Sequence, residues 1–165
     1  MVDNQNIRKL GEQEAYNRLS ALCARAEYCL DDMRKKLRKW QLPEGAEERI
    51  LKRLVKERFI DENRYAHAYV RDKFRYNRWG SDKIERMLRM KGISSDDITD
   101  ALKEISDDES NETLSTLLKN KIRSVKYKTE YELYVKLLRF AVSRGFTLEH
   151  AKHCLEDIIK EDAYI

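Results

Sequence analysis

The chain has 165 residues, of which 39% are charged and 41% hydrophobic, with only 5 glycines and 1 proline. This composition favours helices with solvated surfaces, and it argues against both a thick central core and disorder throughout. The net charge of +4 indicates an acidic partner without requiring one.

Apolar residues recur at helical spacing along nearly the whole chain, which predicts helices and no convincing strand. The first apolar stripe runs from Ala15 to Ala26 and the second from Leu30 to Trp40. Pro43 is expected in the first turn of a third helix, because proline is tolerated there. The stripe of that helix ends at Phe59.

Start and stop signals divide the middle of the chain into three further helices. The expected helix caps are Asp61 or Asn63, then Ser81, then Ser94 in a capping box with Asp97. Gly80 is expected to break the first of these helices. Gly92 is the expected stop of the second, since glycine readily adopts the left-handed conformation that ends a helix.

The C-terminal third begins with the polar and acidic segment 106–112, which is the best candidate for a linker. An apolar stripe then runs from Leu114 to Val125. Two more helices are expected to begin at caps and to be separated by a glycine stop. The caps are Thr129, in a capping box with Glu132, and Thr147, and the stop is Gly145.

An internal repeat of about 50 residues is anchored at Leu42, Ile93 and Phe146, which lie 51 and 53 residues apart. Apolar residues match at fixed distances on both sides of each anchor. We therefore predict an all-α, elongated tandem array of three three-helix repeats with helix-turn-helix-like units, at residues 12–60, 61–106 and 107–160. Gln41 replaces the turn glycine of the first repeat, which predicts a looser or differently shaped turn there.

Positive charge is concentrated in the first two repeats. Net charge is +4 for residues 1–60, +1 for 61–106 and −1 for 107–165, and the segment 71–91 alone carries +5. Trp40, Tyr76 and Trp79 lie near these cations, as in sites that stack on bases. The pattern fits a surface facing a polyanion or an acidic protein groove, and it equally fits a solvated helix face with tryptophan in the core.

Motifs of known enzyme classes are missing from the sequence, including a P-loop, a nucleophile elbow and a dinucleotide fingerprint. The nearest approach to a metal site is the group His150, His153 and Cys154, but Cys154 fits the apolar stripe. His67 is expected to have a packing or surface role. We therefore expect no enzyme, no cofactor and no metal.

Cellular location is indicated by three negative features. No apolar run approaches a membrane span, the N-terminus has no apolar stretch of a secretory signal, and three cysteines form no disulfide framework. Cys23 and Cys154 lie on apolar stripes and are expected to be reduced core residues. We expect a cytoplasmic protein with no membrane contact.

Residues 59–102 resemble the core signature of the RecX family of regulatory proteins. The matching residues stand at fixed spacing: Asp61-Glu62, Arg64-Tyr65-Ala66, Arg78 with Gly80, Ile84, and Lys91-Gly92-Ile93. The flanking repeats agree in length and pattern, which extends the resemblance over roughly residues 12–160. Gln41 departs from the family's usual glycine, and the third repeat carries only a weak signature.

The resemblance implies a non-enzymatic regulator that binds the RecA recombinase filament on single-stranded DNA. Such a protein typically inhibits strand exchange, ATP hydrolysis and co-protease activity in DNA repair and the SOS response. Weak binding to bare DNA and a monomeric state are the matching expectations. The direction of regulation stays open, because Gln41 and the nearly neutral third repeat with its weak signature depart from the family pattern.

The residues expected to contact DNA phosphates or an acidic recombinase surface all belong to the first two repeats. They are Arg34, Lys35, Lys36, Arg38 and Lys39 in repeat one, and Arg71, Arg75, Arg78, Arg86 and Arg89 in repeat two. Tyr65 and Trp79 are assigned mainly to packing. The alternatives are a stand-alone helical DNA-binding protein and a helical protein-interaction scaffold without DNA contact.

Overall fold

A computed structural model describes residues 8–162 of the chain. Within that range the fold is all-α, with one very short pair of strands. The helices are α1 (Glu12–Cys23), α2 (Leu30–Leu37), α3 (Ala46–Lys56), α4 (Glu62–Arg75), α5 (Ser81–Met90), α6 (Ser95–Leu102), α7 (Asp107–Ser124), α8 (Glu130–Ser143) and α9 (Leu148–Asp162). The strands are β1 (Arg8–Lys9) and β2 (Trp40–Gln41).

The helices form a tandem array of three three-helix repeats, which we call module 1 (α1–α3), module 2 (α4–α6) and module 3 (α7–α9). The principal helix–helix contacts lie within each module. Each module contains its own cluster of buried apolar side chains. The fold class predicted from the repeat is confirmed, whereas the residue boundaries 12–60, 61–106 and 107–160 stay a prediction.

The core of module 2 shows how helical spacing becomes packing. Ile84 and Leu88 lie one turn apart on α5 and are fully buried. They contact Val70 and Phe74 of α4 and Ile98 of α6 in one cluster. Burying a side chain of this size contributes about 1.5–3 kcal/mol, so a few such residues hold three short helices together.

The turns at Gly92 and Gly145 have the left-handed backbone that the sequence predicts, with φ of +77° and +97°. The next amide in each turn reaches back five residues: Ile93 N donates to Leu88 O at 3.2 Å, and Phe146 N donates to Ala141 O at 3.1 Å. Two repeats therefore end their second helix in the same way.

The corresponding turn of module 1 has a different shape, as Gln41 indicated. α2 ends at Leu37, and a turn at Arg38 and Lys39 leads into the extended strand β2. β2 pairs in parallel with β1, with Arg8 opposite Trp40 and Lys9 opposite Gln41. The expectation that the chain contains no strand was therefore wrong at this one place.

Three local predictions also require correction. Segment 106–112 is not a linker, because Ser106 caps α7 in a capping box with Glu109 and the acidic residues form its first turn. Acidic side chains are favourable at a helix N-terminus. α3 begins at Ala46, three residues after Pro43, and α5 is capped by Gly80, so that Ser81 is its first residue.

Candidate nucleic-acid interface

The cations of α2 are largely engaged within module 1. Arg34 forms ion pairs with Glu47 and Glu48 of α3. Lys35 pairs with Asp31 at 2.6 Å, one turn earlier on the same helix. The ammonium of Lys36 lies 5.5 Å from the ring centroid of Tyr28. These three residues therefore have structural partners that a polyanion would have to displace.

Arg38 and Lys39 differ from the residues before them. They follow α2 directly, are exposed, and form no ion pair among the described residues. Because no carboxylate neutralises them, they offer two full positive charges to an approaching anion. Their position just before β2 places them next to Trp40.

The predicted cations of module 2 divide in the same way. Arg71 of α4 pairs with Glu104 at 2.9 Å, and Arg89 pairs with Glu85 on α5 at 2.7 Å. Arg75, Arg78 and Arg86 are exposed and have no ion pair within the described chain. Arg75 lies at the end of α4, Arg78 in the following turn, and Arg86 on the side of α5 opposite Ile84.

Arg78 has an unusual backbone. Its φ is +55°, and it shares this left-handed conformation with only one other non-glycine residue of the described chain, Arg58 at +59°. The conformation disfavours residues with a Cβ by roughly 1–2 kcal/mol. A charged side chain is therefore held where glycine would be less strained.

Trp79, the residue after Arg78, lies between two lysines. The ammonium group of Lys73 is 5.1 Å from the centroid of the Trp79 ring, and that of Lys83 is 4.3 Å from it. Part of the indole packs against the module 2 core, in agreement with its assignment to packing. Tyr65 is buried in the same core, whereas Tyr76 is 83% exposed.

A partly buried ion pair joins modules 1 and 2. Lys91 Nζ lies 2.8 Å from Asp32 Oδ1, and both side chains are less than a quarter exposed. Burial acts against the charged form of both groups, but their mutual hydrogen bond prevails. The pKa of Asp32 is lowered, and the pKa of Lys91 is raised. Lys91 thus links the two modules, a role that neither the basic segment 71–91 nor the signature residues 91–93 indicated.

Cys29 strengthens the same junction. It precedes α2 but belongs to the buried cluster of module 2. Burial raises the pKa of its thiol to about 11, so the residue stays protonated and behaves as a small apolar side chain. Nearby, the amide of Leu30 donates to Glu62 of α4 at 3.3 Å, and Arg64 pairs with Glu27 at 2.5 Å.

Modules 2 and 3 meet through backbone atoms. Gly80 N donates to Arg144 O at 2.8 Å, and Asp82 N donates to Gly145 O at 3.0 Å. The guanidinium of Arg144 also donates to the carbonyl of Asn77. The start of α5 is therefore attached to the end of α8, and both junctions hold module 2 between its neighbours.

Across residues 8–162, no group of three histidine, cysteine or acidic side chains is arranged to hold a metal ion. The imidazole Nε2 of His150 donates a hydrogen bond to Asn111 Oδ1, and the ring lies against Phe146. Cys23 and Cys154 are half-buried free thiols. No helix of this range has both the length and the apolar character that crossing a bilayer requires.

Comparison with known proteins places these features in context. Residues 61–102 match the second three-helix domain of RecX. The regulatory protein RecX of Clostridium perfringens strain SM101 is 27% identical over 166 aligned positions, covering 97% of this chain and 76% of that protein. The corresponding protein of Clostridium botulinum strain Eklund 17B is 33% identical over 109 residues, covering 64% of this chain. This chain spans only half the length of the latter protein.

Two crystal structures agree with the fold. One, of a regulatory protein RecX, superposes with a TM-score of 0.80 at 28% identity, covering 88% of this chain and 71% of that one. The other, of RecX from Lactobacillus salivarius, gives a TM-score of 0.76 at 20% identity and supports the fold alone. It covers 88% of this chain and 95% of that chain.

Proposed function

The chain belongs to the family of RecX regulatory proteins, and from this premise we propose that it binds the RecA filament on single-stranded DNA and inhibits it. The inhibited activities are strand exchange, ATP hydrolysis and co-protease activity, which belong to DNA repair and recombination. The protein acts as a monomer, by binding and without catalysis of its own. Its binding to bare DNA is weak compared with its binding to the filament.

The observation that carries this proposal is that five of the ten predicted cations, on two linked modules, are exposed and form no ion pair among the described residues. The set is Arg38, Lys39, Arg75, Arg78 and Arg86. Unpaired surface arginines contact phosphates or acidic side chains without first breaking an internal ion pair. The five other predicted cations, which have internal partners, are proposed to contribute less.

The linked modules support a filament as the target. The Asp32–Lys91 pair and the backbone contact of Gly80 with Gly145 attach each module to the next. A tandem array held in this way presents cations from successive modules at fixed spacing. Several weak contacts then act together, which favours a repetitive partner over a single short site.

The test is ATP hydrolysis by the cognate recombinase on single-stranded DNA, titrated with this protein at less than equimolar amounts. Loss of hydrolysis with little binding to bare DNA at the same salt concentration would support the proposal. Loss only when the protein saturates the bare DNA would favour a stand-alone DNA-binding protein. No effect on hydrolysis, and no DNA binding, would favour a protein-interaction scaffold.

Charge reversal tests the cation set in the same assay. The double variant Arg38→Glu/Arg75→Glu is expected to weaken filament binding at least about tenfold at low salt, because negative side chains then face the polyanion and repel it. Arg34 is a poorer choice, since its reversal would also disrupt the contacts with Glu47 and Glu48. Lys152→Glu, which changes an exposed cation of module 3, is the matched control.

A further inference from the structure

The extended turn of module 1 borders an open groove, which we call the Trp40 groove. Its lining residues come from β1, from β2 and from the segment after each strand: Lys9, Leu10, Gly11, Trp40, Gln41, Leu42 and Pro43. Its volume is about 850 Å³. Sites for small organic groups usually measure about 300–1,000 Å³, so the groove is large enough for one.

The groove exists because module 1 departs from the repeat. In modules 2 and 3, Gly92 and Gly145 fold the chain sharply from the second helix into the third. In module 1 the residues Trp40 and Gln41, between α2 and α3, are extended and pair with β1 instead.

The walls of the groove combine an aromatic ring with polar groups. Part of the Trp40 side chain packs against the module 1 core, and Trp40 also lines the groove. Leu42 and Pro43 supply further apolar surface, and the exposed amide side chain of Gln41 supplies a donor and an acceptor. A flat ring next to one amide suits a planar heterocycle.

The charged residues in the groove-lining segments, or next to them in the chain, favour an anionic ligand. Arg38, Lys39 and Lys9 are exposed and have no ion pair in the described chain. The guanidinium of Arg18 lies 5.9 Å from the Trp40 ring, although it also pairs with Glu14.

Carboxylates near the groove are fewer and partly neutralised. Glu12 is bound by Arg49 at 2.8 Å, and Glu14 is held by Arg18. Glu44, which follows Pro43, is exposed and is the one nearby acid without an ion pair among the described residues. The balance of unpaired charge in the groove-lining segments and next to them in the chain is therefore positive.

We propose that the Trp40 groove holds one unstacked base of single-stranded DNA, with the base stacked on Trp40 and the flanking phosphates next to Arg38, Lys39 and Lys9. This inference rests on the proposed function, which supplies the single strand. It adds a specific subsite to a surface otherwise described only by its charge. Stacking on aromatic rings tolerates any base, so the subsite needs no sequence preference.

The chain has two tryptophans, which makes the test direct. In the variant Trp79→Phe, Trp40 is the single source of tryptophan emission. An oligothymidylate of about 12 nucleotides, a length within the range that such proteins cover, is titrated into this variant at low salt. We expect the emission of Trp40 to be quenched in parallel with binding, which is measured independently by the anisotropy of a labelled oligonucleotide.

Two substitutions of Trp40 separate stacking from simple apolar packing. Trp40→Phe keeps an aromatic platform and is expected to bind the oligonucleotide within about twofold of the parent. Trp40→Leu keeps apolar volume and removes the ring, and it is expected to bind at least about fivefold more weakly. Thermal unfolding of each variant shows whether module 1 stays folded.

The inference is overturned if the oligonucleotide binds without quenching Trp40, or if Trp40→Leu binds as tightly as Trp40→Phe. Intact inhibition of the filament in that case would leave the proposed function standing. If Trp40→Leu weakened binding to the recombinase filament but not to the oligonucleotide, the groove would hold a protein segment instead. Failure to bind either target would overturn both proposals.

Discussion

Gly80 and Gly145 are in direct backbone contact across the junction of modules 2 and 3. A Cβ atom built on Gly80 would lie 2.3 Å from the carbonyl oxygen of Gly145, far inside contact distance. A Cβ on Gly145 would in turn lie 2.3 Å from Cβ of Lys83. The obstacle to a side chain at Gly80 is backbone, so it cannot move aside as a flexible side chain would.

Gly80→Ala is therefore expected to separate the two modules and to lower the free energy of unfolding by at least about 2 kcal/mol. Denaturant unfolding measures the loss. Gly92→Ala is the matched control, because a Cβ there meets nothing within 4 Å and only the φ of +77° is unfavourable. The control should lose about 1 kcal/mol. Equal losses in the two variants would contradict a tight junction.

The Asp32–Lys91 pair is expected to stabilise the junction of modules 1 and 2 at neutral pH. Lys91→Met leaves a half-buried carboxylate unpaired, and a double-mutant cycle with Asp32→Asn should give a coupling free energy of about 1–2 kcal/mol. Lys103→Met is the control, because the Lys103–Asp100 pair is 3.8 Å long and well exposed. A coupling free energy no larger than the stability loss caused by Lys103→Met would show that the Asp32–Lys91 pair does not stabilise the junction.

The same pair predicts a pH dependence with a definite sign. The pKa of Asp32 is lowered from its ordinary 3.8, so its contribution is present above that value and lost as pH falls through the lowered pKa. Stability measured from pH 7 to pH 2 should therefore fall more steeply for the parent than for Asp32→Asn. Parallel curves would contradict this.

His67 predicts a pH dependence of stability with the opposite sign to that of Asp32. Its Nε2 lies 3.0 Å from Asp100, and its Nδ1 contacts Glu104, which also binds Arg71. An imidazole donates from both nitrogens only when it is charged. The hydrogen bonds with Asp100 and Glu104 raise the pKa of His67 above its ordinary 6.5.

The stabilisation by His67 should be complete below pH 6.5 and be lost as pH rises through the raised folded value. Between pH 6 and 9 the parent is expected to lose about 1 kcal/mol relative to His67→Asn. His153→Asn, which removes an exposed imidazole, serves as the control. A constant difference between the parent and His67→Asn across this range would be inconsistent with a charged His67.

Arg78→Gly is expected to change stability and binding in opposite directions. Glycine relieves the left-handed backbone, so the free energy of unfolding should stay level or rise by up to about 1 kcal/mol. If Arg78 contacts a phosphate of single-stranded DNA, filament binding should weaken. The negative slope of log affinity against log salt concentration should then become shallower by about 0.7.

Arg58→Gly is the matched control for that experiment. Arg58 has the same backbone conformation, with φ of +59°, and lies outside the proposed cation set. The two variants should agree in unfolding and differ in filament binding. Equal affinity and salt slope for both would remove Arg78 from the interface.

Local sequence rules predicted the parts of this fold that local interactions decide. The spacing of Ile84 and Leu88, the glycine turns at 92 and 145 and the cap at Ser94 follow from nearest neighbours along one helix. The linker prediction at 106–112 was wrong because an acidic, polar segment is also typical of a capped first helical turn. The same residues satisfied both patterns, and Ser106 with Glu109 decided the outcome.

The candidate interface was predictable as a charge distribution but not as a set of available cations. The pairs Lys35–Asp31 and Arg89–Glu85 are four residues apart, so helical spacing could have identified them. The pair Arg71–Glu104 joins residues 33 apart in the chain and depends on how α4 packs on α6.

By itself, the sequence determined the helices, their repeat and the resemblance to a family, because these depend on spacing and short-range signals along one chain. Tertiary structure decided which cations stay unpaired, how Lys91 and Gly80 join the modules, and that Trp40 borders a groove. Those properties depend on contacts between residues tens of positions apart. Such contacts form only when the apolar faces of separate helices are buried together, so no local pattern specifies them.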